Sequence, residues 1–164
     1  MAYANTGNAS IKARADSVVA TLAKVQGAHG TNGEPGLLYP FDVRSFQSLY
    51  DHFGNCEPVC VPFYVLHKVF AGLLDQHSIA GNTQALGMAV QLAGWVAQSV
   101  EGAIAKHGLA TWQGVLSIEW GGMNEAFYNL YAITKDPLHL RTGQRFNHWQ
   151  WSAPLAVGQD DLDG

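Results

Sequence analysis

Charge is scarce in this chain. Asp, Glu, Lys and Arg make up 13% of its 164 residues, and 9 basic against 13 acidic residues leave a net charge of −4. No cluster of Lys or Arg is present that could displace counterions from a phosphate backbone, which argues against nucleic acid as the main partner. Cysteine is scarcer. Cys56 and Cys60 are too few for a disulfide framework and, spaced C-x3-C without a second pair, too few for a tetrahedral zinc site. They read as ordinary thiols in or near a core. No uninterrupted apolar run approaches the roughly 18 residues of a membrane span, so no membrane partner is expected. The N-terminus has no basic segment leading into an apolar one, so no signal peptide is expected either. The sequence also lacks H-E-x-x-H, G-x-S-x-G and a phosphate-binding loop, which sets aside zincins, serine-elbow hydrolases and P-loop enzymes. Apolar side chains, in contrast, reach 48%, enough to offset the entropy of ordering and to predict a folded domain with a real core.

Those apolar residues recur with helical spacing, and no stretch reads as a strand. Ser10 is placed to cap a helix whose stripe is Ile11, Ala15, Val18, Val19, Leu22 and Val25, with Gly27 as its C-terminal cap. Residues 28–44, rich in Gly and Pro, read as a long loop of the kind that forms functional rims. A short helix over 45–53 and a loop over 54–61 follow. Pro62 suits the first turn of a helix running to about Ile79, with Leu66, Val69, Phe70, Leu73 and Leu74 on its apolar face. Gly81 stops it and Asn82 caps the next helix, which carries Ala85 to Val100. A loop is expected over about 102–116, then a helix over about 122–133. Asp136-Pro137 opens a last helix, expected to end near Trp149.

Three turns resemble one another: Tyr3–Asn8, His77–Asn82 and Tyr131–Asp136. Each closes an apolar helix with a tight turn and starts the next with Asn or Asp, whose side chain takes a free N–H. This is an αα-hairpin used three times. The intervals between the capping residues are about 74 and 54 residues, too unequal for a tetratricopeptide array with its period of ~34. Unequal intervals with long loops before each first helix predict an all-α fold whose helical hairpins form part of an α/α toroid.

On that reading 62–79 and 122–133 are inner helices whose N-terminal ends share a rim. Tyr64, His67 and Lys68 stand at i, i+3 and i+4, so they share a face and could present donors to a hydroxyl-rich ligand. The same three residues equally suit a backbone-bonded histidine with Lys68 reaching to water. In the second segment Gly121-Gly122 would let backbone N–H groups approach a ligand, Asn124 and Glu125 project from the first turn, and Trp120 could stack on a sugar face. A plain helix start with Glu125 favoured by the helix dipole is the alternative. Glycosidic hydrolysis ordinarily needs two carboxyl groups, for which Glu57, Glu119 and Glu125 are available; spacing alone pairs none of them.

Taken together, Pro62–Asp75 (PFYVLHKVFAGLLD), Glu119–Glu125 (EWGGMNE) with Leu130–Thr134, and Pro154–Gly164 resemble, in this order, segments of the β-L-arabinofuranosidase-like glycoside hydrolases of family 127 and their relatives. The resemblance implies a segment, 1–164, of an (α/α)6-toroid catalytic domain truncated at both ends, and a glycoside hydrolase acting on β-L-arabinofuranose in glycans. It implies a zinc-bound cysteine nucleophile and a glutamate acid/base downstream of this segment. No catalytic residue and no metal ligand is therefore assigned here, no cofactor is expected within the segment, and zinc is expected in a full-length relative. What the resemblance assigns to this chain is the wall of a sugar pocket, at His67 with Tyr64 beside it and at Asn124 and Glu125, to which the pattern of the residues themselves adds Lys68 and Trp120, with a carbohydrate as partner. Alone, the segment is expected to be inactive. A non-catalytic helical scaffold or carbohydrate-binding relic is the other reading, because an open toroid leaves apolar helix faces available for self-association. The compartment is left open.

Overall fold

A computed structural model describes residues 2–52, 61–119 and 121–159. Helix accounts for 80% of the described residues, and no strand occurs among them. The helices are α1 (Ala2–Thr6), α2 (Ala9–Thr31), α3 (Arg44–Asp51), α4 (Pro62–Ala80), α5 (Thr83–His107), α6 (Leu109–Ile118), α7 (Met123–Thr134), α8 (Pro137–Arg145) and α9 (Trp149–Ala156).

The three expected hairpins are present, and one device builds each. A residue in the left-handed region ends the first helix: Gly7 at φ 65°, Gly81 at φ 69° and Lys135 at φ 59°. An extended Asx residue then caps the second. Asn8 accepts from the N–H of Ser10, Asn82 from that of Ala85 and Asp136 from that of Leu138. Glycine adopts the left-handed conformation freely, whereas Lys135 is the sole non-glycine residue to do so among the described residues.

Packing follows the alternation expected of a toroid. The first helices of the hairpins touch in series, α1 against α4 and α4 against α7, and the second helices do the same, α2 against α5 and α5 against α8. The connections between hairpins carry α3 and α6, which touch each other. The core runs between the two rows. Phe46, Phe63, Trp112, Phe146, Phe127 and Phe70 form a chain of mostly edge-to-face ring contacts, with centroids 5.1–5.8 Å apart along most of its length. One pair within it, Phe146 and Phe127, is stacked at 6.1 Å. Such contacts fix side-chain orientation as well as burying area.

The helix boundaries depart from the sequence expectation in four places. Asn8, not Ser10, caps α2. That helix also continues through Gly27 to Thr31, because Gln26 is buried and its amide bonds the carbonyls of Gly36 and Met88, which ties this turn to the following loop and to α5. The loop expected over 102–116 is helical. Val100 and Ala103 are buried, and that packing outweighs the ~1 kcal/mol penalty of Gly102 inside a helix. The break falls instead at Gly108, φ 86°, after which α6 buries Trp112, Val115 and Leu116. The helix expected to reach Trp149 divides into α8 and α9. Trp112 Nε1 donates to the Arg145 carbonyl at 2.6 Å and Phe146 turns into the core, which ends α8. The loop expected over 54–61 lies largely outside the described residues, as do Cys56, Glu57 and Cys60.

Candidate functional site at the N-terminal ends of α4 and α7

Helix α4 begins without a cap of its own. Val61 occupies the N-cap position and makes no side-chain bond, and Pro62 supplies no N–H. The N–H groups of the first turn need a partner from elsewhere. Glu119, at the end of α6, provides it: Oε1 accepts from the N–H of Tyr64 at 2.5 Å. This carboxyl group is 5% exposed, and its Oε2 makes no hydrogen bond among the described residues. Burial pushes the Glu119 pKa up to about 8, a rise opposed by the backbone N–H groups of Tyr64 and Phe63.

Three residues on, the chain makes a second contact with α4. Gly122 has φ 88°, and a Cβ built there would overlap Cε1, Nε2 and Nδ1 of His67. Both the backbone angle and the close approach therefore require glycine. The His67 ring lies against this backbone with Nδ1 buried and unbonded among the described residues. Burial holds its pKa below the ordinary value, and the charge of Lys68 acts the same way. The charge of Glu125 opposes both, which places Glu125 within electrostatic reach of the ring.

The residues expected to line a pocket are thus partly gathered. His67, Gly122 and Glu125 come together where α4 meets the start of α7. Asn124 stands in the same first turn, with its Oδ1 accepting from the Glu125 N–H at 2.8 Å. Tyr64 is exposed, and Lys68 sits over its ring with Nζ 4.8 Å from the centroid. Lys68 also lines an apolar groove against α2, beside Val18, Leu22, Val69 and Leu73. Lys68 thus borders both Tyr64 and this groove, while its charge still reaches the His67 ring. Trp120 lies outside the described residues.

Of the carboxyl groups considered from sequence, Glu119 is buried and bonded to a helix start, and Glu125 is exposed. The capping role of Glu119 is not evident from sequence, where it stands only as one of the candidate catalytic carboxyl groups. A signal for it existed in Val61-Pro62, a helix start with no capping side chain, which demands an acceptor from another part of the chain. For the zinc that the family resemblance implies, no group of three His, Cys, Asp or Glu side chains among the described residues could hold a metal ion. The described side chains do not fit that group, and no step of a zinc–cysteine reaction is assigned to them. No helix among the described residues is long and apolar enough to cross a membrane.

Comparison with curated proteins finds no match. The family model for the catalytic domain of β-L-arabinofuranosidase, GH127, matches residues 1–164, the full length of the chain. An all-α arc of hairpins with paired inner helices agrees with that match, and the chain belongs to the GH127 β-L-arabinofuranosidase catalytic-domain family of glycoside hydrolases.

Proposed function

We propose that this chain supplies one wall of a sugar-binding pocket in a glycoside hydrolase that removes β-L-arabinofuranose from glycans. The observation that carries the reading is the meeting of His67 with Gly122, which brings the polar starts of two inner helices to one rim. A furanose presents hydroxyl groups that need donors and acceptors at fixed positions, and His67, Asn124 and Glu125 supply both kinds there. Tyr64 and Lys68 stand at the outer edge of this wall, and Trp120, outside the described residues, is proposed from the sequence alone as a stacking residue.

Bond cleavage is assigned to groups other than these. Glu119 is engaged with the start of α4, which leaves Glu125 as the one described carboxylate at the wall, whereas glycoside hydrolysis ordinarily uses a pair. The chain alone is therefore expected to bind the sugar weakly and not to hydrolyse it. Incubation with an aryl β-L-arabinofuranoside tests this. The expected result is no release of the aryl group above background. Turnover that survives a chelator and is abolished in Glu125→Gln would overturn the assignment of chemistry elsewhere.

A further inference from the structure

Glu119 is the one described carboxyl group that is almost wholly buried, and the wall described above makes no direct use of it. Its place in the fold is specific. It ends α6 and precedes Gly121-Gly122, so it lies on the segment that delivers the start of α7. Through Oε1 it holds the N–H of Tyr64, on the helix turn that carries His67. The two contacts, Glu119 with Tyr64 and Gly122 with His67, join the same two segments three residues apart on each. Two such contacts fix both the distance and the rotation between α4 and the start of α7, whereas either alone would leave a pivot.

We infer that Glu119 is a positioning residue of the sugar site, acting as a latch between the start of α4 and the turn before α7 that seats the His67 ring against Gly122. The inference rests on the proposed sugar wall for its functional meaning, and the latch itself stands on the two contacts. A buried carboxyl group suits this work in its neutral form, where one oxygen accepts from the helix and no charge is left in the core. Its surroundings support that form. The titratable groups that sense Glu119 among the described residues are the phenols of Tyr39, in the loop before α3, and Tyr50, on α3. Burial raises both pKa values, so neither brings a charge to the carboxylate. Among the described residues no cation acts on it. At His67 the facing charges are Lys68 on α4 and Glu125 on α7. Ionisation of Glu119 strengthens its bonds from the helix N–H groups but leaves a buried charge with no described cation beside it, so the Tyr64 amide should sense this titration while the latch contact itself persists.

The test is NMR on the 164-residue chain, comparing the native protein with Glu119→Gln and Glu119→Ala. The glutamine carbonyl can still accept from Tyr64 but cannot ionise. In the native protein the Tyr64 amide resonance should titrate with a midpoint near about 8, while the NOE between the His67 ring and Gly122 Hα persists across the same range. In Glu119→Gln both should be flat with pH, with the NOE retained. In folded Glu119→Ala the NOE should be lost or reduced several-fold at every pH. If that variant does not fold, the comparison of native protein with Glu119→Gln decides. A Tyr64 amide that titrates alike in both overturns the proposal, as does a His67–Gly122 NOE unchanged in a folded alanine variant. Adding methyl β-L-arabinofuranoside separates the two readings: latch behaviour as predicted without any sugar-induced shift removes the sugar wall and keeps the latch.

Discussion

The His67 imidazole occupies the space that a side chain at Gly122 would take, and Gly122 holds a backbone angle that L-residues rarely adopt. The start of α7 and the first turns of α4 are thus matched to each other through one ring and one missing Cβ. Gly122→Ala should destabilise the chain by about 2–4 kcal/mol, the sum of a left-handed alanine and a displaced ring. In a His67→Ala background the same substitution should cost only the backbone part, about 1–2 kcal/mol. Urea unfolding of the four proteins of this cycle measures the coupling, and a cost that is equal in both backgrounds would deny the contact.

Stability should carry the mark of Glu119. Its pKa is raised to about 8 in the fold against an ordinary value of 4.5. Between those values the folded chain keeps a proton that the unfolded chain has released, so this group makes stability fall as pH rises from about 4.5 to about 8. The full effect is on the order of 3–5 kcal/mol. His67, His139 and His148, whose pKa values burial lowers, act with the opposite sign up to about 6.5. Asp16, Asp42 and Asp51 are held low by hydrogen bonds, first of all from Lys12, Arg44 and Gln47, and they lose stability only in acid. These other groups are common to the native protein and Glu119→Gln. The stability advantage of Glu119→Gln should therefore widen between about pH 5 and pH 8, as read from urea midpoints. A constant difference would mean that Glu119 does not titrate in that window.

The hairpin turns give a test of the fold in which a substitution strengthens it. Lys135 does at φ 59° what Gly7 and Gly81 do in the other two hairpins. Lys135→Gly should raise stability by about 0.5–1 kcal/mol by removing strain at a helix C-terminus, despite loss of the cation–π contact with Tyr131. Thermal midpoints of Lys135→Gly and Lys135→Val should bracket that of the native chain.

Asn82 serves two partners. Its Oδ1 accepts from the Ala85 N–H at 3.0 Å and its Nδ2 donates to Asp16 at 2.7 Å, which joins the start of α5 to α2. Asn82→Ala should cost about 1–2 kcal/mol, and Asn82→Asp should keep the cap but set two carboxylates together, so that salt restores part of its loss. If Asn82→Asp is as stable as the native chain at low salt, the link to Asp16 contributes nothing.

The hairpins were legible in the sequence because their signals are local. A left-handed residue followed by Asn or Asp can be read without knowing what packs on what, and so can the apolar stripes of α4, α5 and α7. Errors arose where a distant contact overruled a local one. Gly27 and Gly102 looked like stops, yet Gln26 reaches Met88 and Val100 is buried, so both helices run on. At the site, His67, Asn124 and Glu125 could be named from pattern, but nothing in the pattern separates Lys68 from His67. What differs is their further contacts, since Lys68 also borders the groove beside α2 and His67 meets the start of α7. Glu119 was the hardest to place, because its partner is a backbone group 55 residues away.

The central claim is that the starts of α4 and α7 form one wall of a sugar site. Titration of the chain with methyl β-L-arabinofuranoside, followed residue by residue by NMR, tests it most directly. The account predicts weak saturable binding, with shifts concentrated at Tyr64, His67, Gly122, Asn124 and Glu125 and lost in His67→Ala. Shifts that gather elsewhere on the chain, or that survive unchanged in His67→Ala, would contradict it.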